Sequence, residues 1–318
     1  MSLPAEGLVT DATWLTLGVL GLLLVATVVG GVLARVVTSE GARATVANLR
    51  ERTRAWWWMC AIFGGALAGG AGWSALLFAL VSFAALREMV SISPTRRADH
   101  RTLFWMFFVV VPLQYVFVWI GWQGMAMVFI PVYAFCFVAI RSTLTGDHRD
   151  YLARVARLLF AQTICVYFIS HAPALLALDI PGYAGGNATL LFFLVLVVQL
   201  SDVLQYVWGK LCGRHRIAPH LSPNKTWEGF VGGVVSATAV GAGLWWATPF
   251  APLQAAGMAL AITLMGFAGG IVMSAIKRDA GIKDYGDTIP GHGGIMDRID
   301  SLCFAAPVFY HLVRFYVG

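Results

Sequence analysis

Apolar residues run in long blocks broken by short polar stretches along almost the entire chain. The blocks fall at roughly 13–34, 55–71, 73–86, 103–119, 122–140, 156–172, 188–208, 227–248, 252–274 and 302–317. At about 1.5 Å rise per residue, about 20 apolar residues cross a hydrocarbon core roughly 30 Å thick. The pattern predicts an all-α, polytopic helical membrane protein with about ten transmembrane helices. The first block follows Glu6 and Asp11 with no basic n-region, so it is expected to be a retained span, not a cleaved leader.

Composition agrees. Of 318 residues 59% are hydrophobic and only 12% charged, with 12 Trp and 20 Phe, and the mean hydropathy is +0.75. That balance excludes an ordinary soluble domain. Trp56-Trp57-Trp58 stands where a span meets a basic loop, as interfacial anchors do. Gly64, Gly65, Gly69, Gly70 and Gly72 read as a small-residue stretch that lets two helices approach. The five cysteines are scattered through apolar blocks without C-x-x-C spacing and read as small hydrophobes.

Charge adds orientation. All Lys and Arg but Arg314 fall in alternate connections: Arg35 to Arg54, Arg87 to Arg101, Arg141 to Arg157, Lys210 to Lys225, and Lys277 to Arg298. The positive-inside rule places these five loops in the cytoplasm and both termini outside. The net charge of +6 is explained by topology and attraction to anionic headgroups, and no nucleic-acid module is present. The expected location is the bacterial inner membrane, with the working face toward the cytoplasm. The chain reads as one continuous membrane domain, with residues 1–187 as scaffold and 188–318 as the catalytic region.

Candidate chemistry lies in that second part. Residues 274–301 form a polar island holding Lys277, Arg278, Lys283 and Arg298 beside Asp279, Asp284, Asp287, Asp297 and Asp300, with His292 among glycines. Orienting a loop needs cations but gains little from Asp. Cations for phosphate beside carboxylates for a divalent metal suit phosphoryl or nucleotidyl transfer. Asp297 and Asp300 are three apart on a predicted helix, a spacing that puts both on one face and can hold Mg²⁺. The Pro290-Gly-His-Gly293-Gly294 turn leaves backbone N–H groups open to phosphate. Asp202 sits inside an apolar block, where an ionised carboxylate costs about 2.5–3.5 kcal/mol, and shares a helical face with Gln205 and Tyr206. In the fourth basic loop Pro223 is expected to close a turn, with a helix starting at about Lys225 or Thr226 whose N-terminus favours an anion.

These residues carry a resemblance. Ser274-x-x-Lys277-Arg278-x-x-x-x-Lys283-Asp284 followed by Pro290-Gly-His292-Gly293-Gly294-x-x-Asp297-Arg298-x-Asp300 resembles the signature of the phosphatidate cytidylyltransferases, also called CDP-diacylglycerol synthases. Leu221-Ser222-Pro-Asn-Lys225-Thr226-Trp-Glu-Gly229 is similar to that family's second motif, and the likeness covers about residues 188–310. Gly269-Gly270-Ile271 stands where many bacterial members have Gly-Asp-Leu, and Ser201-Asp202 where Asn-Asp is commoner.

The resemblance implies conversion of CTP and phosphatidate, or a related lipid phosphate, to CDP-diacylglycerol and pyrophosphate. Mg²⁺ is expected on Asp297 and Asp300, with Asp202 or Asp284 completing its shell. Lys225, Lys277, Arg278, Lys283, Asp284 and His292 would carry the reaction, and Ser222, Thr226, Ser274, Gly293, Gly294 and Arg298 would contact substrate. Partners are the bilayer and, as an option, a second copy in a homodimer. The competing readings are a CTP-dependent lipid kinase and an ion-coupled secondary transporter. The transporter predicts broken helices in matching halves, and no such symmetry is evident.

Overall fold

The computed structural model describes residues 5–183, 186–289 and 293–317. Every apolar block folds as helix. In chain order the helices are α1 (Ala5–Val36), α2 (Glu40–Ala68), α3 (Ala71–Ser91), α4 (Arg97–Trp119), α5 (Gln123–Thr143), α6 (Tyr151–Ala177), α7 (Asn187–Cys212), α8 (Trp227–Gly243), α9 (Pro252–Asp279) and α10 (Met296–Val317). Among the described residues seven are long and apolar enough to cross a membrane: α1, α3, α4, α5, α6, α7 and α9. The protein is an all-α integral membrane protein with one small addition. Strand β1 (Arg216–Ala218) pairs antiparallel with β2 (Ser222–Thr226), Arg216 opposite Thr226 and Ala218 opposite Ser222.

Local sequence accounts for departures from ideal helix. α4 and α5 pass through π-helical turns at Met106–Val110 and Phe129–Ala134. Pro131 lies inside the second and Pro112 just beyond the first, and a proline removes an N–H and disturbs the regular ladder. α2 and α3 turn over at Gly70, whose φ of +88° is a conformation glycine adopts freely. Gly64 and Gly65 have nothing within 4 Å of an added Cβ, so they do not serve the close helix approach expected of them. Gly72 of the same stretch does meet α4, an added Cβ falling 3.0 Å from Trp119 Nε1, and α7 and α8 also approach closely. A Cβ on Gly229 would lie 2.8 Å from the Gln205 carbonyl oxygen, and one on Gly233 would collide with the Gln205 side chain.

The interior is continuous across the boundary near residue 188. Phe63 of α2 packs on Phe192 of α7, and Phe168 of α6 packs on Phe304 of α10. Leu86, Met106, Ile130, Ile164, Leu190, Leu194 and Phe309 are fully buried within one cluster. α1 is the exception, with Leu22, Leu24, Val25, Val28 and Val32 all exposed, and it packs chiefly along α2. Such an apolar surface on a helix of spanning length faces lipid.

On the charged side, Arg154 is buried and ion-pairs with Asp99 at 3.2 Å and Asp147 at 3.0 Å. It also donates to the carbonyls of Arg149 and Asp147. This network fixes the start of α4 to the start of α6. The cysteines are free thiols, as expected, with Cys165 and Cys303 buried.

Candidate active site

The ribbon and the start of α8 place Lys225. Pro223 lies in β2 and does not close the turn, which falls at Pro219 to Leu221 instead. α8 begins at Trp227, later than expected, because the extended pairing of β2 runs on to Thr226. Thr226 is the N-cap, its hydroxyl accepting from Gly229 N at 3.2 Å. Glu228 accepts from the backbone N–H groups of Arg214 and His215 and contacts the His215 ring at 2.5 Å. Both motif residues therefore serve the local fold. Lys225 turns inward, its ammonium 4.6 Å from the Phe267 ring centre. A Cβ on Gly270 would lie 2.8 Å from Lys225 Nζ, so the missing side chain there makes room for the lysine. Burial pushes the Lys225 pKa below its ordinary value, and the Asp202 and Asp300 carboxylates oppose that shift.

The end of α9, the following loop and the start of α10 are laced together by Asp297. Its Oδ1 accepts from Lys277 Nζ at 2.9 Å, and its Oδ2 accepts from the backbone N–H groups of Tyr285 at 2.8 Å and Gly294 at 3.0 Å. Gly293 has a φ of +79°, and a Cβ there would sit 2.9 Å from Asp297 Oδ2. Arg278 donates to the carbonyls of Leu221 and Ile282, joining α9 to the ribbon turn. Ser274 donates to the Gly270 carbonyl one turn back. Lys283 and Asp284 are exposed beside the loop.

Between these parts lies a charge cluster drawn from four elements. Asp202 of α7 lies within electrostatic reach of Asp300 of α10 and of Lys225 and Arg298, and the Ser301 hydroxyl donates to Asp300 Oδ1 at 3.4 Å. Asp300 in turn senses Lys277, Lys225 and Arg298, and its Oδ1 accepts from Ser301 N at 2.7 Å. Two carboxylates thus share one half-buried neighbourhood with three cations.

Several sequence expectations change accordingly. Asp297 and Asp300 lie at the start of one helix as anticipated, but both carboxylate oxygens of Asp297 are engaged by Lys277, Tyr285 and Gly294, and Asp300 is grouped with Asp202. The N–H of Gly294 is taken by Asp297, so it is not open to phosphate. Ser274, Thr226 and Arg278 each make hydrogen bonds to backbone groups. Tyr206 is 64% exposed, with the Lys210 ammonium 5.8 Å from its ring centre, while Gln205 donates to Ser201. Ser222 is a half-buried strand residue, and His292 lies outside the described residues.

One residue of the site region was missed by sequence reasoning. Glu88, near the end of α3, is 9% exposed. Its Oε1 accepts from Thr288 Oγ1 and Ile295 N, both at 2.9 Å, and its Oε2 from Met296 N at 2.8 Å. The signal was available: an acid at the end of an apolar block demands a partner. What the sequence lacked was any indication that this partner lies some 200 residues away.

Comparison with known proteins places this arrangement. A sequence model described as "Cytidylyltransferase family" matches residues 50–316. The chain is 38% identical over 268 residues to the uncharacterized protein YnbB of Escherichia coli (strain K12), covering 83% of this chain and 87% of that one. It is 32% identical over 221 residues to the phosphatidate cytidylyltransferase of Bacillus subtilis (strain 168), covering 67% and 77%. For the phosphatidate cytidylyltransferase of Mycobacterium leprae (strain TN), the values are 36% over 177 residues, about half of each chain at 54%. With helices α2 to α10 all falling in the matched range in whole or part, the chain belongs to the cytidylyltransferase family of membrane enzymes.

Proposed function

We infer that this protein transfers the cytidylyl group of CTP to phosphatidate or a closely related lipid phosphate, forming CDP-diacylglycerol and pyrophosphate. The observation that carries the reading is the convergence of Asp202, Asp300, Lys225, Lys277 and Arg298, all half-buried, in one cluster. Membership of the cytidylyltransferase family and relatives bearing the phosphatidate cytidylyltransferase name support it.

In this reading an oxygen of the lipid's phosphate monoester attacks the α-phosphorus of CTP. The bond from that phosphorus to the oxygen bridging to the β-phosphate breaks, and pyrophosphate leaves with the electron pair. No nucleophilic side chain is needed, so the protein's part is positioning and charge neutralisation. Lys225 and Arg298 lie where they can neutralise substrate phosphates, and Lys277 is held by Asp297 beside them. Lys283, exposed at the mouth of the loop, is suited to meeting a headgroup or triphosphate on arrival. His292 would orient a phosphoryl oxygen or serve the leaving group.

The donor set fits Mg²⁺. Mg²⁺ is commonly held by one or two carboxylates together with substrate phosphates and water. Asp202 and Asp300 are two such carboxylates set against each other, and among the described residues no group of three or more His, Cys, Asp and Glu makes an all-protein cage. Asp202 and Asp300 would therefore hold the ion, with Asp297 beside them as an orienting partner to Lys277. When bound, Mg²⁺ would offset the charge of the triphosphate and of the facing carboxylates.

The apolar helices leave the acyl chains in lipid while the polar groups react at the membrane face. The basic loops argue that this face is cytoplasmic, that about ten helices span, and that the bilayer is the bacterial inner membrane. Incubating purified protein with labelled CTP, Mg²⁺ and a panel of lipid phosphates tests the proposal. CDP-lipid and pyrophosphate in equal amounts are expected. A kinase would give CDP and a phosphorylated lipid without pyrophosphate, and a transporter would leave CTP intact. Asp300→Asn should lower CDP-lipid formation on the order of 100-fold or more while melting as the parent does. A variant retaining near-parent turnover would remove Asp300 from the site.

A further inference from the structure

We propose that Glu88 is a positioning residue for the transfer, holding the first turn of α10 in the orientation that brings Asp300 to Asp202 and Asp297 to Lys277. This rests on the reading given above for the site. α3 belongs to the part of the chain read as scaffold, yet its carboxylate reaches the segment on both sides of residues 290–292. Thr288 donates to it from one side, and Ile295 and Met296 donate their backbone N–H groups from the other.

The chemistry is specific. The first N–H groups of a helix have no intrahelical acceptor, and together with the helix dipole they favour an anion. Here that place, which a phosphate could have taken, is filled by a carboxylate of the protein itself. The fit around it is close: a Cβ on Gly294 would lie 2.5 Å from Glu88 Oε2, and one on Gly286 would lie 3.3 Å from Oε1. Those two glycines let the loop wrap the carboxylate. Asp297 then ties Gly294 and Tyr285 together from the inner side. Two carboxylates, one from α3 and one from α10, thus fix the loop and the helix start, and Asp300 follows one turn along the same rigid helix.

Glu88→Gln keeps the size of the side chain but removes the charge and replaces one acceptor with an amide that faces N–H donors. Thr288→Val removes a single bond and leaves the Glu88 contacts to Ile295 and Met296 intact. For Glu88→Gln, kcat is expected to fall about 10- to 100-fold, since small displacements of reacting groups are costly. KM for CTP should rise by a smaller factor than kcat falls, because Arg298 rides on the displaced turn while Lys225 on β2 keeps its place. Thr288→Val should fall in the same direction by a smaller factor. Hydrogen exchange supplies a readout independent of turnover: peptides covering residues 285–299 should exchange faster in Glu88→Gln, while those from α7 and α9 remain protected. Unchanged kcat, or unchanged exchange over 285–299, would overturn the proposal. Should Glu88→Gln fail to fold, Thr288→Val decides by the same two readouts. If the parent protein itself makes no CDP-lipid, the functional reading fails, and the exchange experiment still decides whether Glu88 holds the loop.

Discussion

Gly293 illustrates how a single residue shapes the site. The sequence reading gave its backbone to substrate phosphate, on the argument that glycine lets N–H groups approach without obstruction. The structure gives a different reason for glycine there: its φ is +79° and Asp297 Oδ2 occupies the space beside it. Replacing it with alanine would impose a left-handed conformation on a residue with a Cβ, at a cost of roughly 1–2 kcal/mol, and would push on Asp297. Gly293→Ala should melt at lower temperature than the parent in detergent and lose CDP-lipid formation together with that stability. Equal melting and activity would show that the carboxylate does not depend on the glycine. Lys225 teaches a related point. The motif predicted a cation for phosphate at that position, but only the packing revealed that it extends toward Gly270, where many bacterial members have an aspartate.

Elements are joined by buried charge as well as by apolar contact. Arg154 of α6 is 3% exposed and meets Asp99 of α4, itself 2% exposed. Removing one member of such a pair strands the other, which typically costs about 3–5 kcal/mol. Arg154→Met should therefore lower thermal stability sharply, whereas the double variant Arg154→Met/Asp99→Leu should recover much of the loss. A single variant as stable as the parent would show the pair to be dispensable. Asp147 of the same network has its pKa held below the ordinary value, first by the Arg149 backbone N–H and also by Arg154 and Arg96. A carboxyl depressed on folding lends stability above its unfolded pKa of about 3.9 and loses it as pH falls through the lower folded value. Melting temperature should thus decline in that acid range, and less steeply in Asp147→Asn. The helices themselves were legible because long apolar blocks allow few other structures. The ribbon was not: β1 and β2 are short, polar and half-exposed, and their pairing is set by the turn and by the Trp227 N–H donating to the His215 carbonyl. Nothing in a periodicity reading separates such a ribbon from a loop.

At the scale of the whole molecule, orientation is the most exposed expectation. Cys212 is an exposed thiol at the end of α7, within the fourth basic loop. In a variant keeping Cys212 as its sole cysteine, a membrane-impermeant thiol reagent should label inverted vesicles and not right-side-out ones. The opposite pattern would place the charge cluster on the outer face, away from cytoplasmic CTP. Long-range contacts cross the division near residue 188. The first part supplies lipid-facing surface, as α1 does, but through Glu88 it also holds the start of α10.

By itself the sequence determined the membrane class, the helical blocks and the residues charged enough to do chemistry, because hydrophobicity and charge are properties of local composition. It also carried the family motif, which survives in linear order. Tertiary structure alone decided which carboxylate meets which cation. Asp202 and Asp300 are almost a hundred residues apart, and Glu88 and Met296 more than two hundred, so their pairing follows from how α3, α7, α9 and α10 pack. Helical spacing ties Asp297 to Asp300, but it does not say that the first is engaged by Lys277 and two backbone N–H groups while the second faces α7. A hydrogen bond between distant segments leaves no periodic trace in the chain, and only the folded packing brings its donor and acceptor together.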